Sequence, residues 1–359
     1  MRWTVLACCA ALVVAIAVPV LIGILSGGGS EGREKEIYGP LETPPSDAAV
    51  PTEAPEEPLW GWDGEMDGAS GDFNRWVTVL LDDGLHWMRL NYYLYGVIAG
   101  EMPATFPEEA LKAQAVAART YTLYKQSRPT SAHPQAEICG NSACCKAYAA
   151  EDALRERWGE DYMTHAKAIR AAVDETDGRI MTYEDEPILA VFHSTSSGIT
   201  ERAADVWGGD LPYLQSVPST GEEASPRYRA KVELSADECR EILLAAYPDM
   251  RLSENPKEWF SGVRRSEAGG VTRLRIGGVR VTGGEARRMF GLNSTNFTIS
   301  ATQDGVVFET RGFGHGVGMS QYGARALALE GKGYEEILCW YYTGAVLSVL
   351  EETEERSDI

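Results

Sequence analysis

Glu101 stands in an apolar run, "YGVIAGEMP", immediately before a Met-Pro pair that forces a turn. A carboxyl held there beside apolar neighbours has its pKa raised, which suits a general acid working near neutral pH. The segment after it, "PEEALKAQAVAARTYTLYKQ", is nearly all alanine between its charges. Lys112 and Arg119 are seven positions apart and so lie within about 20° of each other on one helix face. They are candidate substrate-binding cations; the alternative is a buried ion pair of Glu101 with one of them. A third stretch, "HPQAEICGNSACC", spaces His133, Cys139 and Cys145 as H-x5-C-x5-C. Imidazole and thiolate suit Zn²⁺, which takes four ligands in a structural site. Cys144, the distant His165 or water would complete the set. The alternative is a Cys139–Cys144 or Cys139–Cys145 disulfide, open to a domain outside the cytoplasm.

Two loops carry polar groups without an obvious nucleophile. "HSTSSGITE" gathers His193, Ser194, Thr195, Ser196 and Ser197 after a strand, with no strand–GxSxG–helix elbow. "RGFGHGVGMSQYGA" alternates glycine around His315 and lacks the GK[ST] ending of a nucleotide-binding loop. Alternating glycine lets the backbone pass close to a ligand or another strand. Ser320 is placed to cap the next helix, with Gln321 and Tyr322 in its first turn. The alternatives are a polar turn that satisfies its own backbone and a glycine loop packed tightly on the core.

The elements that would hold these residues read as α+β: hairpins mixed with irregularly placed helices, not a doubly wound sheet. "RWVTVLL" and "LHWMRLN" flank "DDG" as one hairpin, and "GRIMTY" and "PILAVFHS" flank "EDEP" as another. "YYLYGVIAG" and the alanine-rich segment are helices, and a third helix runs from about Asp152 to Glu175. "RYRAKVEL" is a strand and "SADECREILLAAYP" a capped helix. "TRLRIGGVRVTGGEARRMF" gives two strands and a helix, "FTISATQDGVVFETRG" a hairpin. Two last helices follow Ser320 and span "YEEILCWYY". Cys239 and Cys339, isolated in apolar stretches, read as core residues.

The formal net charge of −20 repels nucleic acid. Val5 to Leu25 are 21 residues without a charge, long enough to span about 30 Å of hydrocarbon. They read as a single-pass anchor with the bulk of the chain outside the cytoplasm; a cleaved signal peptide is the alternative. The domains are therefore anchor 1–25, Pro/Glu/Gly-rich linker 26–72, folded domain 73–350 and acidic tail 351–359. A flexible linker of that length reaches roughly 35–40 Å on average.

Three segments carry a family resemblance: "GVIAGEMPATFPEEALKAQAVAARTY", "VFHSTSSGITERAADVWGGDLPYLQSV" and "GFGHGVGMSQYGARALALEGKGYEEILCWYYTG". They resemble the stage II sporulation protein D family of membrane-anchored lytic transglycosylases. The resemblance implies that Glu101 is the catalytic glutamate, acting as acid and then base on the MurNAc–GlcNAc bond of peptide-stripped peptidoglycan strands during endospore engulfment. It implies a domain between the two membranes and cooperation with a wall amidase and other engulfment membrane proteins. Under it, Lys112, Arg119, Ser194, Ser196, Ser197, His315, Gln321 and Tyr322 are candidate substrate-binding residues. The same family includes amidase enhancers, so a non-catalytic glycan-binding module is the second reading. A zinc hydrolase is the third, and the chain lacks H-E-x-x-H.

Overall fold

The computed structural model describes residues 71–350. The expected anchor, nearly all of the linker and the acidic tail lie outside the described residues. Among the described residues, no helix is long and apolar enough to cross a membrane.

The expected first hairpin forms from β1 (Trp76–Leu81) and β2 (Gly84–Arg89), paired from Trp76↔Arg89 to Leu81↔Gly84. It feeds directly into α1 (Leu90–Glu101), which Met102 and Pro103 end. Pro107 then opens α2 (Glu108–Gln126), with Glu108 and Glu109 in its first turn near the positive end of the dipole. β3 (Ile138–Cys139) pairs parallel with β1. The expected third helix is broken in two, α3 (Glu151–Trp158) and α4 (Tyr162–Asp174), because Gly159 takes φ 52°. A left-handed residue ends a helix there.

β4 (Arg179–Tyr183) and β5 (Glu186–Pro187) turn tightly through Glu184 and Asp185, both at positive φ. The long strand expected over "PILAVFHS" does not form. It leaves Pro187 in β5 and a two-residue β6 (Phe192–His193), which pairs across the chain. A short α5 (Ala203–Trp207) follows. Next come β7 (Arg229–Ser235), α6 (Ala236–Ala246), β8 (Phe260–Arg265), β9 (Val271–Ile276), β10 (Val279–Thr282), α7 (Gly283–Met289), β11 (Phe297–Ala301) and β12 (Gly305–Arg311). Ser235 and Thr282 each begin their helix with a full capping box. β13 (Met319–Ser320), α8 (Gln321–Leu329), α9 (Tyr334–Tyr341) and β14 (Val346–Val349) complete the described chain. Four strands escape the sequence reading: the two-residue β3 and β13, and β8 and β14. β8 has an exposed, bulged pattern with no apolar alternation, and β14 pairs with β4 across the length of the domain.

Two hydrophobic cores result. The larger centres on α2, whose Ala110, Ala113, Ala115, Ala117 and Ala118 are all buried, with α1, α4, α8 and α9 packed around it. Small side chains let those helices come close without leaving voids. The second core lies between α6, α7 and the sheets of β7–β12 and includes Trp259, Phe290, Phe297 and Phe308. Cys239 sits in it, as expected. Cys339 does not sit in a core: it lies on the exposed side of α9.

Candidate active site and metal centre

Glu101 is the last residue of α1 and is half-buried. Its Oε1 accepts a hydrogen bond from the Ala147 N–H at 2.8 Å. That bond exists because α1 offers glycine where the chain returns: Ala149 N–H donates to the Gly96 carbonyl at 3.0 Å. A Cβ on Gly96 would overlap the Tyr148 ring, and one on Gly100 would press on the Ala147 carbonyl at 3.1 Å. We expect Gly96→Ala to push residues 147–149 off the helix and to cost about 1–3 kcal/mol in urea unfolding.

Burial raises the Glu101 carboxyl above its ordinary range, and the nearby Lys146 charge and the Ala147 N–H offset part of that rise. Lys146 was not found by sequence reasoning. It is buried, and its Nζ sits 3.5 Å from the Phe192 ring centroid and 4.2 Å from that of Tyr121. Desolvation brings its ammonium down to about 8, with Glu101 pulling the other way. The sequence signal was absent: a lysine after two cysteines carries no spacing that points to a carboxyl 45 residues earlier.

His193 and His315 lie beside this pair. The β6–β13 pairing sets Ser320 opposite His193, and the two imidazoles are 5.6 Å apart. His193 Nδ1 faces the Val317 carbonyl at 3.1 Å, which assigns the proton to Nδ1 and leaves a lone pair on a buried Nε2 with no protein partner among the described residues. Burial lowers His193 to about 4. His315 is also pushed down, by burial first and then by His193 and Lys146, so both rings are neutral at neutral pH. Trp207, half-exposed and also missed by the sequence reading, packs on the outer side of His315 at 5.2 Å.

The glycine loop turns out to serve packing. Gly312, Gly314, Gly316 and Gly318 all have positive φ. Gly314 lies against His193, and Gly318 lies so close to the Val191 carbonyl that no side chain fits. Ser197, Glu201, Asn296, Arg311 and His315 line the cleft beside this loop.

The remaining candidates divide. Ser197 lines the cleft, its Oγ donating to the Ala268 carbonyl at 3.2 Å. Ser194 is half-buried and pairs with the Thr195 hydroxyl at 3.1 Å. Tyr322 is half-buried in the first turn of α8 and meets Phe106 edge-on at 5.2 Å, which ties α8 to the turn after Glu101. Gln321 is buried, and its Nε2 has no partner among the described residues. Ser196 does not face a ligand. Its backbone N–H and Oγ both donate to the buried Glu222, as do Ser219 and Ser320, so this carboxylate ties three segments together.

Arg119 and Lys112 also depart from expectation. Arg119 is fully buried and bonded to Asp72, with Nε–Oδ2 at 2.7 Å and Nη2–Oδ2 at 2.6 Å. Its other donors reach the Val173 and Arg179 carbonyls. The folded part thus begins at least one residue before the expected boundary. Lys112 is enclosed by Glu108, Glu109 and Glu175, whose carboxylates raise its pKa. Acids of the α2 first turn and of the chain after α4 occupy Lys112, Asp72 occupies Arg119, and neither cation pairs with Glu101 among the described ion pairs.

His133, Cys139, Cys144 and Cys145 bring their donor atoms within 4.8 Å of one another. His133 Nδ1 faces the Ala136 carbonyl at 2.8 Å, which directs Nε2 at Cys145 Sγ, 3.2 Å away. One nitrogen and three sulfurs with a fixed tautomer fit a tetrahedral zinc site. Cys144 is the fourth donor in the cluster; His165 instead meets Trp158 edge-on at 5.2 Å. The three cysteines are free thiols, not a disulfide. The segment that leaves this cluster is Lys146–Ala147, the same one that holds Glu101.

Residues 83–183 match the family described as Stage II sporulation protein. The chain is 39% identical over 262 residues to Stage II sporulation protein D of Bacillus subtilis (strain 168), which covers 72% of this chain and 74% of that protein. It is 36% identical over 260 residues to Stage II sporulation protein D of Bacillus amyloliquefaciens, covering 72% and 74%. It is 27% identical over 306 residues to the amidase enhancer of Bacillus subtilis (strain 168), covering 71% of this chain and 40% of that protein.

Proposed function

We infer the function from one premise: the chain belongs to the stage II sporulation protein D family. We propose that it is a peptidoglycan lytic transglycosylase of the sporulating cell and that Glu101 is its acid and base. The observation that carries this reading is the set of groups acting on Glu101. They are desolvation by burial, the Lys146 charge and the Ala147 N–H, which keep this carboxyl raised and held in place at the end of α1. A hydrolase of this bond would need two carboxyls about 5–10 Å apart. One carboxyl suffices if water takes no part.

In the proposed reaction the protonated Glu101 gives its proton to the glycosidic oxygen as the C1–O bond breaks. The GlcNAc side leaves as an alcohol. The muramic C6 hydroxyl oxygen then attacks C1, and the Glu101 carboxylate takes the hydroxyl proton. Atoms balance without water, and Glu101 ends as it began. Lys146 supports the interval in which Glu101 is ionised, because its charge favours the carboxylate form. The neutral His193 and His315 offer ring nitrogens without adding positive charge near a developing oxocarbenium ion. Trp207 offers an exposed ring for a sugar face.

His133, Cys139, Cys144 and Cys145 are proposed to hold a structural zinc ion that orders residues 145–147 and thereby orients Glu101. Purified chain is expected to carry about one zinc per molecule. Cys139→Ser should lose the metal, lower the unfolding temperature and reduce cleavage together. A metal-free wild type with unchanged stability would refute the site. The domain is proposed to act outside the cytoplasm, tethered by the apolar N-terminal segment, on strands stripped by a wall amidase.

The amidase-enhancer relative favours a second reading, a glycan-binding module that cuts nothing. Incubating the full chain with peptide-free glycan strands separates the two. Shortened strands with anhydro ends support the enzyme; intact strands that bind support the module.

A further inference from the structure

A cavity of about 650 Å³ opens on the outer face of the β11–β12–β7 sheet, within the size range of ligand pockets. Its cations are Arg229, Lys231, Arg265 and Arg311, and its only acidic lining residue is Glu309. The register sorts them. Glu309 lies directly across from Lys231, which also pairs with Glu233, so Lys231 is neutralised and adds no free positive charge to the cavity. Arg229 lies directly across from Arg311, and neither has a carboxylate partner among the described ion pairs. Two like charges opposite one another on a sheet face destabilise it, a cost that an anion between them would remove. Arg265 is held at the rim by the Gly269 and Phe297 carbonyls, both at 2.7 Å. Its charge is therefore fixed in place and not neutralised. The surroundings sharpen the contrast: residues 229–311 hold 13 Lys and Arg against 11 Asp and Glu in a chain whose net charge is −20.

The cavity is not isolated from the candidate site. Arg311 and Asn296 line both it and the cleft that contains Ser197 and His315. Neither space is lined by Glu101.

We propose that Arg229, Arg265 and Arg311 bind the free lactyl carboxylates of peptide-stripped glycan strands. The inference rests on the glycan reading above and gives it a chemical basis. In an intact strand each muramic lactyl group is tied up as a neutral amide to its stem peptide. Hydrolysis of that amide leaves one carboxylate per stripped muramic residue, and arginine pairs with carboxylates bidentately. Removal of the peptide thus creates the group that this cavity recognises, and selection for stripped strands follows from charge.

The test uses the full chain in detergent, with Glu101→Gln so that strands are bound and not consumed. Binding is measured to peptide-free strands and to the same strands with carboxylates converted to methyl amides. Free strands should bind about tenfold or more tightly. Arg229→Gln and Arg229→Glu should each remove about tenfold or more of that preference and leave binding of the amidated strands unchanged. Equal binding of the two preparations, or equal weakening of both by the substitutions, overturns the proposal. So does stronger displacement by a polyglycerol phosphate polymer of matched charge, which would assign the cavity to phosphodiesters. Cleavage by the Glu101-bearing chain is scored in parallel. Anhydro ends with no carboxylate preference sink only the arginine site, whereas carboxylate-selective binding without cleavage sinks only the catalytic reading.

Discussion

Glu101→Gln is expected to lower strand cleavage roughly 100- to 10,000-fold, the range that positioned acid–base groups contribute. The upper part of that range is expected because one carboxyl serves both proton transfers. The substitution is close to isosteric. The amide oxygen still accepts from the Ala147 N–H, so the end of α1 and residues 145–147 keep their places. Unfolding curves should therefore change little while turnover collapses. The pH profile has a definite sign. The first step needs the protonated acid, so activity falls on the alkaline side as Glu101 ionises. Burial raises that carboxyl, which moves the alkaline limb above the ordinary glutamate range. Lys146 lowers the same carboxyl, so Lys146→Met should move the limb further toward high pH. A limb unmoved by removal of the charge would show that another group sets it.

The second large effect is structural. Arg119→Met is expected to destabilise the fold by about 3–5 kcal/mol, since it leaves the buried Asp72 without its partner. It also strips donors from the Val173 and Arg179 carbonyls. Activity per folded molecule should survive, because the pair lies away from Glu101. The loss depends on pH. Burial already raises Asp72 despite Arg119, and without the guanidinium it rises further. The native variant then holds a proton that the unfolded chain has released, so its stability declines as pH rises from the unfolded carboxyl value through the raised one. The deficit is thus smaller in acid. Pairing the change with Asp72→Leu should recover most of it, since an apolar pair removes the unmatched charge. Urea unfolding at two pH values reads all three outcomes.

What the sequence made legible was local. The place of Glu101 at the end of α1 is legible because a Met-Pro pair and an apolar run fix a helix end within a few residues. The capping serine at Ser320, the first hairpin and the α+β class follow from equally short signals. The convergence of His133, Cys139 and Cys145 follows from H-x5-C-x5-C spacing, with Cys144 a candidate for the fourth donor. The misreadings came from distance along the chain. Lys112 and Arg119 do share a helix face, but helical geometry says nothing of Glu175 or Asp72 waiting beyond it. Ser196 looked available because Glu222, which takes its hydroxyl, lies 26 residues on. Lys146 gains its meaning only when two glycines of α1 let residues 147–149 lie against the helix. The arginine cavity was invisible for the same reason: Arg229 and Arg311 face each other only through strand pairing.

The central claim is that a single carboxyl cleaves the strand without water. The most direct measurement is cleavage of peptide-free glycan strands in heavy-oxygen water, followed by mass analysis of the new ends. The account predicts anhydro ends that carry no solvent oxygen and vanish with Glu101→Gln. Reducing ends that contain one solvent oxygen would contradict it, because they require a water nucleophile that this mechanism excludes.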